Sequence, residues 1–345
     1  MSSNSWFGRA LLPWYRENQR PLPWRLTKDP YRIWLSEVIL QQTRVDQGTA
    51  YWHRFVERYP TVVHLAKTSE DQVLRLWQGL GYYSRARNLR TAARQVVKEH
   101  RGRFPSDHAA LLKLEGVGDY TASAIASICF GKPEPVVDGN VYRVLARVFG
   151  IATPIDSAAG KKEFRALAAE LISKEHPGDH NQAVMELGAT VCAPKNPRCG
   201  ECPLARKCIA KAEERITELP VKAGRTKTRT RHFNYLLIET KGGIYLRKRT
   251  EKDIWQGLWE LPMVETEKSV TGPFVKKQSG MARLVPFVGP VKHALSHQII
   301  HAVFWKAEPP PRFKAPKDWK LVRPEEIGAH ALPRLIERHL VGKAR

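Results

Sequence analysis

The sequence predicts a multi-domain protein, an all-α part followed by an α/β part. Three observations carry that expectation. The chain has 345 residues, 42% of them hydrophobic, enough to bury two ordinary cores. Through residue 212, apolar side chains recur at i, i+3 and i+4. From about Glu218 the texture changes, first to a basic stretch nearly free of apolar residues and then to candidate strands.

Taken in order, helical spacing shows in Val73-Leu74-Leu76-Trp77, in Leu89-Ala92-Ala93-Val96-Val97 and in Phe164-Leu167-Ala168-Leu171-Ile172. Turn-forming residues such as Phe104-Pro105-Ser106-Asp107 separate these segments. Residues 1–212 therefore form the first predicted domain. The basic run after Leu219-Pro220 marks 213–231 as a linker, and 232–345 as the second domain. There the expected strands are Phe233 to Glu239, Gly243 to Arg247 and Ile299 to Trp305. No internal repeat is visible.

Lys and Arg number 57 against 34 for Asp and Glu, a net charge of +23. The excess is +11 over residues 1–212 and +9 over 232–345, so it is not confined to a tail. Such a balance points to a polyanionic partner. A spanning segment is excluded, because no run of about 18 apolar residues exists. Five cysteines do not make a disulfide scaffold, and 10 Trp argue against a disordered chain. The start lacks the apolar core of a secretory signal, so a cytoplasmic location is expected, with nucleoid association if the polyanion is DNA; a monomer is also expected.

Four cysteines cluster as Cys192, Cys199, Cys202 and Cys208, a C-x6-C-x2-C-x5-C run. Four thiolates within 17 residues suit one metal centre, either zinc or a [4Fe–4S] cluster. Structural zinc usually pairs its ligands in two C-x2-C knuckles, and only one is present. Lys195, Arg198, Arg206 and Lys207 lie between or beside them, placed either to meet phosphates or to offset the thiolate charge. Cys129 lies in an apolar helix and reads as core.

Residues 114–123 read Leu-Glu-Gly-Val-Gly-Asp-Tyr-Thr-Ala-Ser. Gly116 and Gly118 allow a sharp turn that exposes backbone N–H groups just before a helix, whose dipole favours an anion. That is a sequence-independent phosphate clamp, or else a plain tight turn.

With these features goes a set of landmarks: Leu22-Pro23-Trp24-Arg25, Trp34 through Thr43, Gly79-Leu80-Gly81-Tyr82-Tyr83, Gly116 through Ala122, Val137-Asp138-Gly139-Asn140 and Asn181-Gln182-Ala183. On them the chain resembles the helix-hairpin-helix DNA glycosylases with an iron–sulfur cluster, and within them the adenine glycosylases, over nearly its full length. The resemblance implies an N-terminal all-α helix-hairpin-helix glycosylase fold with a [4Fe–4S] loop. It also implies removal of adenine paired with 8-oxoguanine or guanine in double-stranded DNA, after the base is flipped from the helix.

By periodicity Glu37 shares a helix face with Gln41 and Arg44, an ordinary solvated face, and Asp138 reads as a helix cap. The family match gives them chemistry. Glu37 maps to the acid that protonates adenine at N7, and Asp138 to the group that stabilises the oxocarbenium-like sugar, with Asn140 in support. Strand-cutting relatives of the endonuclease III type carry a lysine two residues after the second hairpin glycine. This chain has Tyr120, whose phenol cannot form the required imine, so it is expected to line the pocket of a monofunctional enzyme. A non-catalytic iron–sulfur DNA binder is opposed by Glu37 and Asp138, since carboxylates repel DNA. Gln41, Gln42 and Tyr82 match positions that wedge into the duplex, while Trp24, Arg25 and Gln182 match positions near the extruded adenine. Glu115 and Asp119 depart from the usual hairpin, which commonly has Pro and Arg there.

In the second domain, Trp255-Gln256-Gly257-Leu258-Trp259-Glu260-Leu261-Pro262 resembles the entry to a Nudix fold. The Arg-Glu-x-x-Glu-Glu run of a working hydrolase does not follow, so a Nudix-like lesion-reading domain is expected. His293-Ala294-Leu295-Ser296-His297 aligns with the family's 8-oxoguanine probe, commonly Phe-Ser-His. Leu295 replaces the aromatic, while Ser296 and His297 keep their hydrogen-bonding groups.

Overall fold

A computed structural model describes residues 5–224 and 228–340. The chain divides into two compact units, Met1–Lys67 with Asn88–Gly224, and Thr68–Arg87 with Arg225–Arg345. The helices before residue 213 are α1 (Ser5–Asn18), α2 (Pro30–Ile39), α3 (Val45–Arg58), α4 (Val62–Lys67), α5 (Glu70–Trp77), α6 (Ser84–His100), α7 (His108–Leu111), α8 (Asp119–Phe130), α9 (Gly139–Phe149), α10 (Ala158–Leu171), α11 (Pro177–Thr190) and α12 (Ile209–Ala212). Helix α5 and the start of α6 belong to the second unit.

Local chemistry sets the helix ends. Asp29 caps α2 by accepting from Tyr31 N, and Pro30 supplies its first turn. Ser69 and Gln72 form a capping box on α5. Gly131 and Gly150, both left-handed, stop α8 and α9.

The core of the first unit joins Phe7 and Leu11 of α1, Val144, Leu145 and Val148 of α9, Phe164 of α10 and Leu187 of α11. Truncating a fully buried ring such as Phe164 costs about 3–5 kcal/mol. Helix α11 comes unusually close to the start of α9. A Cβ at Gly188 would stand 2.6 Å from Asn140 Cβ and 2.9 Å from Asn140 O. Glycine at that one position lets α11 approach the α9 N-terminus, where Asp138 and Asn140 sit.

The stretch 213–231 is taken up at both ends. Leu219 is buried in the first unit's core, and Val221 O accepts from Ile155 N at 3.0 Å. At the other end a strand already begins at Arg229.

The second unit is mixed α/β. Its strands are β1 (Arg229–Leu237), β2 (Glu239–Thr240), β3 (Gly243–Lys248), β4 (Trp259–Glu260), β5 (Met263–Thr266), β6 (Arg283–Ala294), β7 (Gln298–Glu308) and β8 (Trp319–Val322), with helices α13 (Gly272–Ser279) and α14 (Arg334–Leu340). One sheet has the order β5-β1-β7-β6, and the other joins β2, β3 and β4, with β8 also on β3. Strands β1 and β7 are parallel, from Arg229 opposite Gln298 to Leu237 opposite Lys306. The three strands expected from sequence correspond to β1, β3 and β7. Strand β6 escaped the pattern because it carries Pro286, Gly289 and Pro290 and shifts register at two places. It is an edge strand, where proline and bulges are tolerated.

Candidate active site

Glu37 lies on α2, but the solvated face expected from periodicity is not there. Every residue from Ile33 to Ile39 is buried, and Glu37 is only 8% exposed. The helix ends at Ile39, so Gln41 and Arg44 do not extend its face. Tyr120 Oη donates to Glu37 Oε2 at 2.7 Å and lies 3.5 Å from Met185 Sδ on α11. Burial pushes the Glu37 carboxyl up to about 7. The Tyr120 hydrogen bond and the Arg25 charge pull the other way, while Asp138 adds to the rise.

Asp138 is both a cap and a neighbour of this acid. It accepts from Asn140 N and Val141 N at 2.8 Å each and from Asn140 Nδ2 at 2.9 Å. Burial raises its pKa, against those three donors and Arg143. The donors, at the positive end of α9, make Asp138 the better-stabilised anion of the pair.

Asn140 Oδ1 in turn accepts from Arg143 Nη2 at 2.8 Å, and Arg143 Nε donates to Cys192 O at 2.7 Å. Arg143 also holds Gly188 O at 2.7 Å. One turn on, Arg147 Nη1 reaches Ala193 O at 2.8 Å and Cys192 Sγ at 3.4 Å. Sequence reasoning missed both arginines. Their signal was two cations four apart in an otherwise apolar helix.

Cys192, Cys199, Cys202 and Cys208 line one pocket, with Val144, Val148, Leu187 and Val191 among its walls. Burial pushes Cys202 up to about 11 and also raises Cys208, and the neighbouring thiolates add to both shifts. Four such sulfurs in an apolar shell suit a positively charged multi-atom group that ionises them together. Among the described residues, no group of three or more His, Cys, Asp or Glu is placed to hold a single metal ion. Of the nearby cations, Arg198 pairs with Glu201 at 2.8 Å and Lys207 lies 4.9 Å from the Trp6 ring centre.

Arg25, on the turn Pro23–Leu26, donates to Glu186 Oε2 on α11 at 2.7 Å. Gln182 is half-buried one turn earlier on that helix, and Trp24 is buried edge-on to Trp52. Gln41 Nε2 contacts Thr121 Oγ1 at 3.4 Å, whereas Gln42 is exposed on left-handed backbone with φ 54°.

In the hairpin, Leu114 and Val117 are buried and Gly116 and Gly118 face outward. Gly116 has φ +72°, and a Cβ there would stand 2.6 Å from Asn88 Cβ. Gly118 is the N-cap of α8, and an added Cβ would meet no atom within 4 Å. Gln95 on α6 braces the loop, accepting from Glu115 N at 2.7 Å. Asp119 pairs with Arg165 on α10 and lies 3.4 Å from His108 Nε2, so its charge is largely met within the chain.

Residues 35–174 match the HhH-GPD superfamily of base excision DNA repair proteins, and residues 234–341 match the NUDIX domain. The sequence is 33% identical over 299 residues to an adenine DNA glycosylase of Buchnera aphidicola subsp. Schizaphis graminum, covering 86% of each chain. The chain belongs to the adenine DNA glycosylases. It is also 37% identical over 317 residues to the adenine DNA glycosylase of Homo sapiens, covering 76% of this chain and 58% of the human one. Among solved structures, a thermostable thymine-DNA glycosylase matches at TM-score 0.56 and 30% identity, over 60% of this chain and 95% of that one. A non-covalent endonuclease III–DNA complex shares the fold at TM-score 0.52 and 22% identity, over 62% of this chain and 99% of that one.

As a member of this family the glycosylase is a base excision repair hydrolase acting on N-glycosyl bonds. None of its described helices is long and apolar enough to cross a membrane. In its second unit, the glycosylase carries Tyr82 exposed on left-handed backbone with φ 47°, and Arg85 lies 5.7 Å from the Tyr82 ring centre. Leu295, Ser296 and His297 form the turn between β6 and β7. Leu295 N donates to Gln298 O at 2.7 Å, and Ser296 Oγ lies 3.0 Å from His297 Nδ1. Ser296 and His297 are exposed and Leu295 is half-buried. Three acids of the second unit are held by arginines. Glu265 takes Arg231, Asp253 takes Arg231 and Arg249, and the fully buried Glu260 takes Arg247 and Arg249.

Proposed function

We propose that the enzyme hydrolyses the bond between adenine and deoxyribose where adenine faces 8-oxoguanine, or guanine, in duplex DNA. The observation that carries this is the buried pair, Glu37 bonded to Tyr120 and Asp138 capped by three donors. Glu37, with its carboxyl near 7, is protonated in about half the molecules at neutral pH and delivers that proton to the purine, making the base a better leaving group. Asp138, the better-stabilised anion, faces the positive charge that develops on the sugar. Tyr120 orients Glu37 and offers no amine, so the strand is left uncut.

The four cysteines would hold a [4Fe–4S] cluster, and the shared cavity supports that fit. When bound, the cluster would tie the thiolate loop against α9 and α11. Residues 1–212 would serve as catalytic domain and 232–345 as lesion reader, through Leu295, Ser296 and His297. Gly116 and Gly118 would present the hairpin amides to a phosphate, and Gln41, Gln42 and Tyr82 would help displace the base.

Duplexes holding A:8-oxoG, A:G or A:C, incubated with the enzyme and then heated in alkali, test this. Breakage of the adenine strand only after alkali is the expected result, with A:8-oxoG cut fastest. Breakage without alkali would indicate a lyase, and intact strands would remove the catalytic assignment.

A further inference from the structure

Glu186 stands on α11 one turn after Gln182 and next to Met185, the residue that touches Tyr120. Its side chain is 0% exposed, and arginines occupy both oxygens. Oε1 accepts from Arg20 Nε at 2.7 Å and from Arg20 N at 3.1 Å. Oε2 accepts from Arg20 Nη2 at 2.8 Å and Arg25 Nη2 at 2.7 Å. Arg25 Nη1 is turned back onto Arg20 O at 3.0 Å, and its guanidinium carbon lies 5.5 Å from the centre of the Tyr15 ring. Arg25 is thus fastened on the side of Glu186.

The arrangement matters because of what else Arg25 acts on. The charged and titratable groups facing Glu37 are Tyr120 and Cys129 from α8, Asp138 from the cap of α9 and Arg25 from the turn before α2. Arg25 favours the ionised form of Glu37, the form that cannot donate a proton. Around Glu186 are Arg20, Arg25 and Tyr15, with Asp46 acting on Arg20 and Asp179 on Tyr15. A half-buried guanidinium deprived of its carboxylate turns to another one, because leaving it unpaired costs several kcal/mol.

We infer that Glu186 is a positioning residue that keeps Arg25 bound away from Glu37, so that Glu37 retains the proton it gives to the purine. This rests on Glu37 being the acid. Removing the Glu186 charge also makes the local field more positive, and both effects favour ionised Glu37. The pH at which adenine release declines therefore moves down when Glu186 is neutralised.

The experiment is single-turnover adenine release against pH, with the full-length protein and an A:8-oxoG duplex. For Glu186→Gln the alkaline midpoint should fall by about one pH unit. The rate would then be roughly tenfold lower at pH 8 and little changed near pH 5.5. In Glu186→Gln/Arg25→Gln the Arg25 guanidinium is no longer there to capture Glu37, Arg20 alone remains beside position 186, and the midpoint should return to that of the unaltered enzyme. A merely structural Glu186 would lower the rate equally at every pH; that result, or an unmoved midpoint, overturns the inference. Should Glu186→Gln not fold, Glu186→Asp is read the same way, since its shorter carboxylate cannot hold both arginines. There a lowered midpoint supports the inference and an unmoved one overturns it. Glu37→Gln, measured alongside, separates the failures. Adenine release by that variant means that the acid assignment is wrong. An inert Glu37→Gln with an unmoved Glu186→Gln midpoint means that only the role of Glu186 is wrong.

Discussion

The hydroxyl of Tyr120 donates to Oε2 of Glu37 at 2.7 Å, and that single contact opposes the burial that raises the Glu37 pKa. Tyr120→Phe removes the donor and leaves burial opposed by the Arg25 charge alone. The alkaline midpoint of adenine release should then rise above its value in the unaltered enzyme, by about one unit. The maximal rate should fall roughly tenfold as orientation is lost. A pH–rate profile of the variant checks both, and the shift is opposite in sign to that expected for Glu186→Gln.

The raised carboxyl is also a stability statement. Glu37 moves from 4.5 to about 7 on folding, so its contribution is fully present below pH 4.5 and is lost as pH rises through 7. Glu37→Gln removes that liability. At pH 8 the variant should be more stable than the unaltered protein by up to roughly 3 kcal/mol, and the difference should shrink toward pH 5. Thermal unfolding followed by circular dichroism at the two pH values decides it.

The hairpin glycines should respond differently to alanine. Gly116→Ala strains a backbone at φ +72° and drives a Cβ into Asn88, so stability should fall by about 1–2 kcal/mol. Gly118→Ala meets nothing in the protein, and stability should hold within about 0.5 kcal/mol. Its Cβ would instead obstruct a phosphate, weakening DNA binding on matched and mismatched duplexes alike. Denaturation curves paired with fluorescence-anisotropy titrations distinguish the two.

Arg143 joins the Asp138–Asn140 pair to the carbonyl of Cys192. Arg143→Met fills similar space but leaves Asn140 Oδ1, Gly188 O and Cys192 O without this donor. Adenine release should fall more than tenfold, with a loss of the visible absorbance that the proposed cluster would give. Single-turnover rates and the ultraviolet–visible spectrum of the purified variant test it.

Much of this was legible in the sequence because it is local. The hairpin announces itself by two glycines beside a helix start, and the cysteine quartet by spacing alone. Glu37 was not legible from periodicity, since α2 is buried all round and ends before Gln41. Glu186 and Arg143 were missed for a related reason. Each is a charge on a buried face whose partners, Arg20 and Arg25 or Cys192, are 161 to 166 and 49 residues away along the chain. Strand β6 hid behind its prolines, which only its place at the sheet edge permits.

The most direct test of the central claim is adenine release from an A:8-oxoG duplex by Glu37→Gln under single turnover, with DNA binding measured in parallel. A proton donor of this kind contributes about 10²–10⁴-fold, so the rate should drop by at least that much while binding stays within a few-fold. Release at the unaltered rate, with binding intact, would contradict the account.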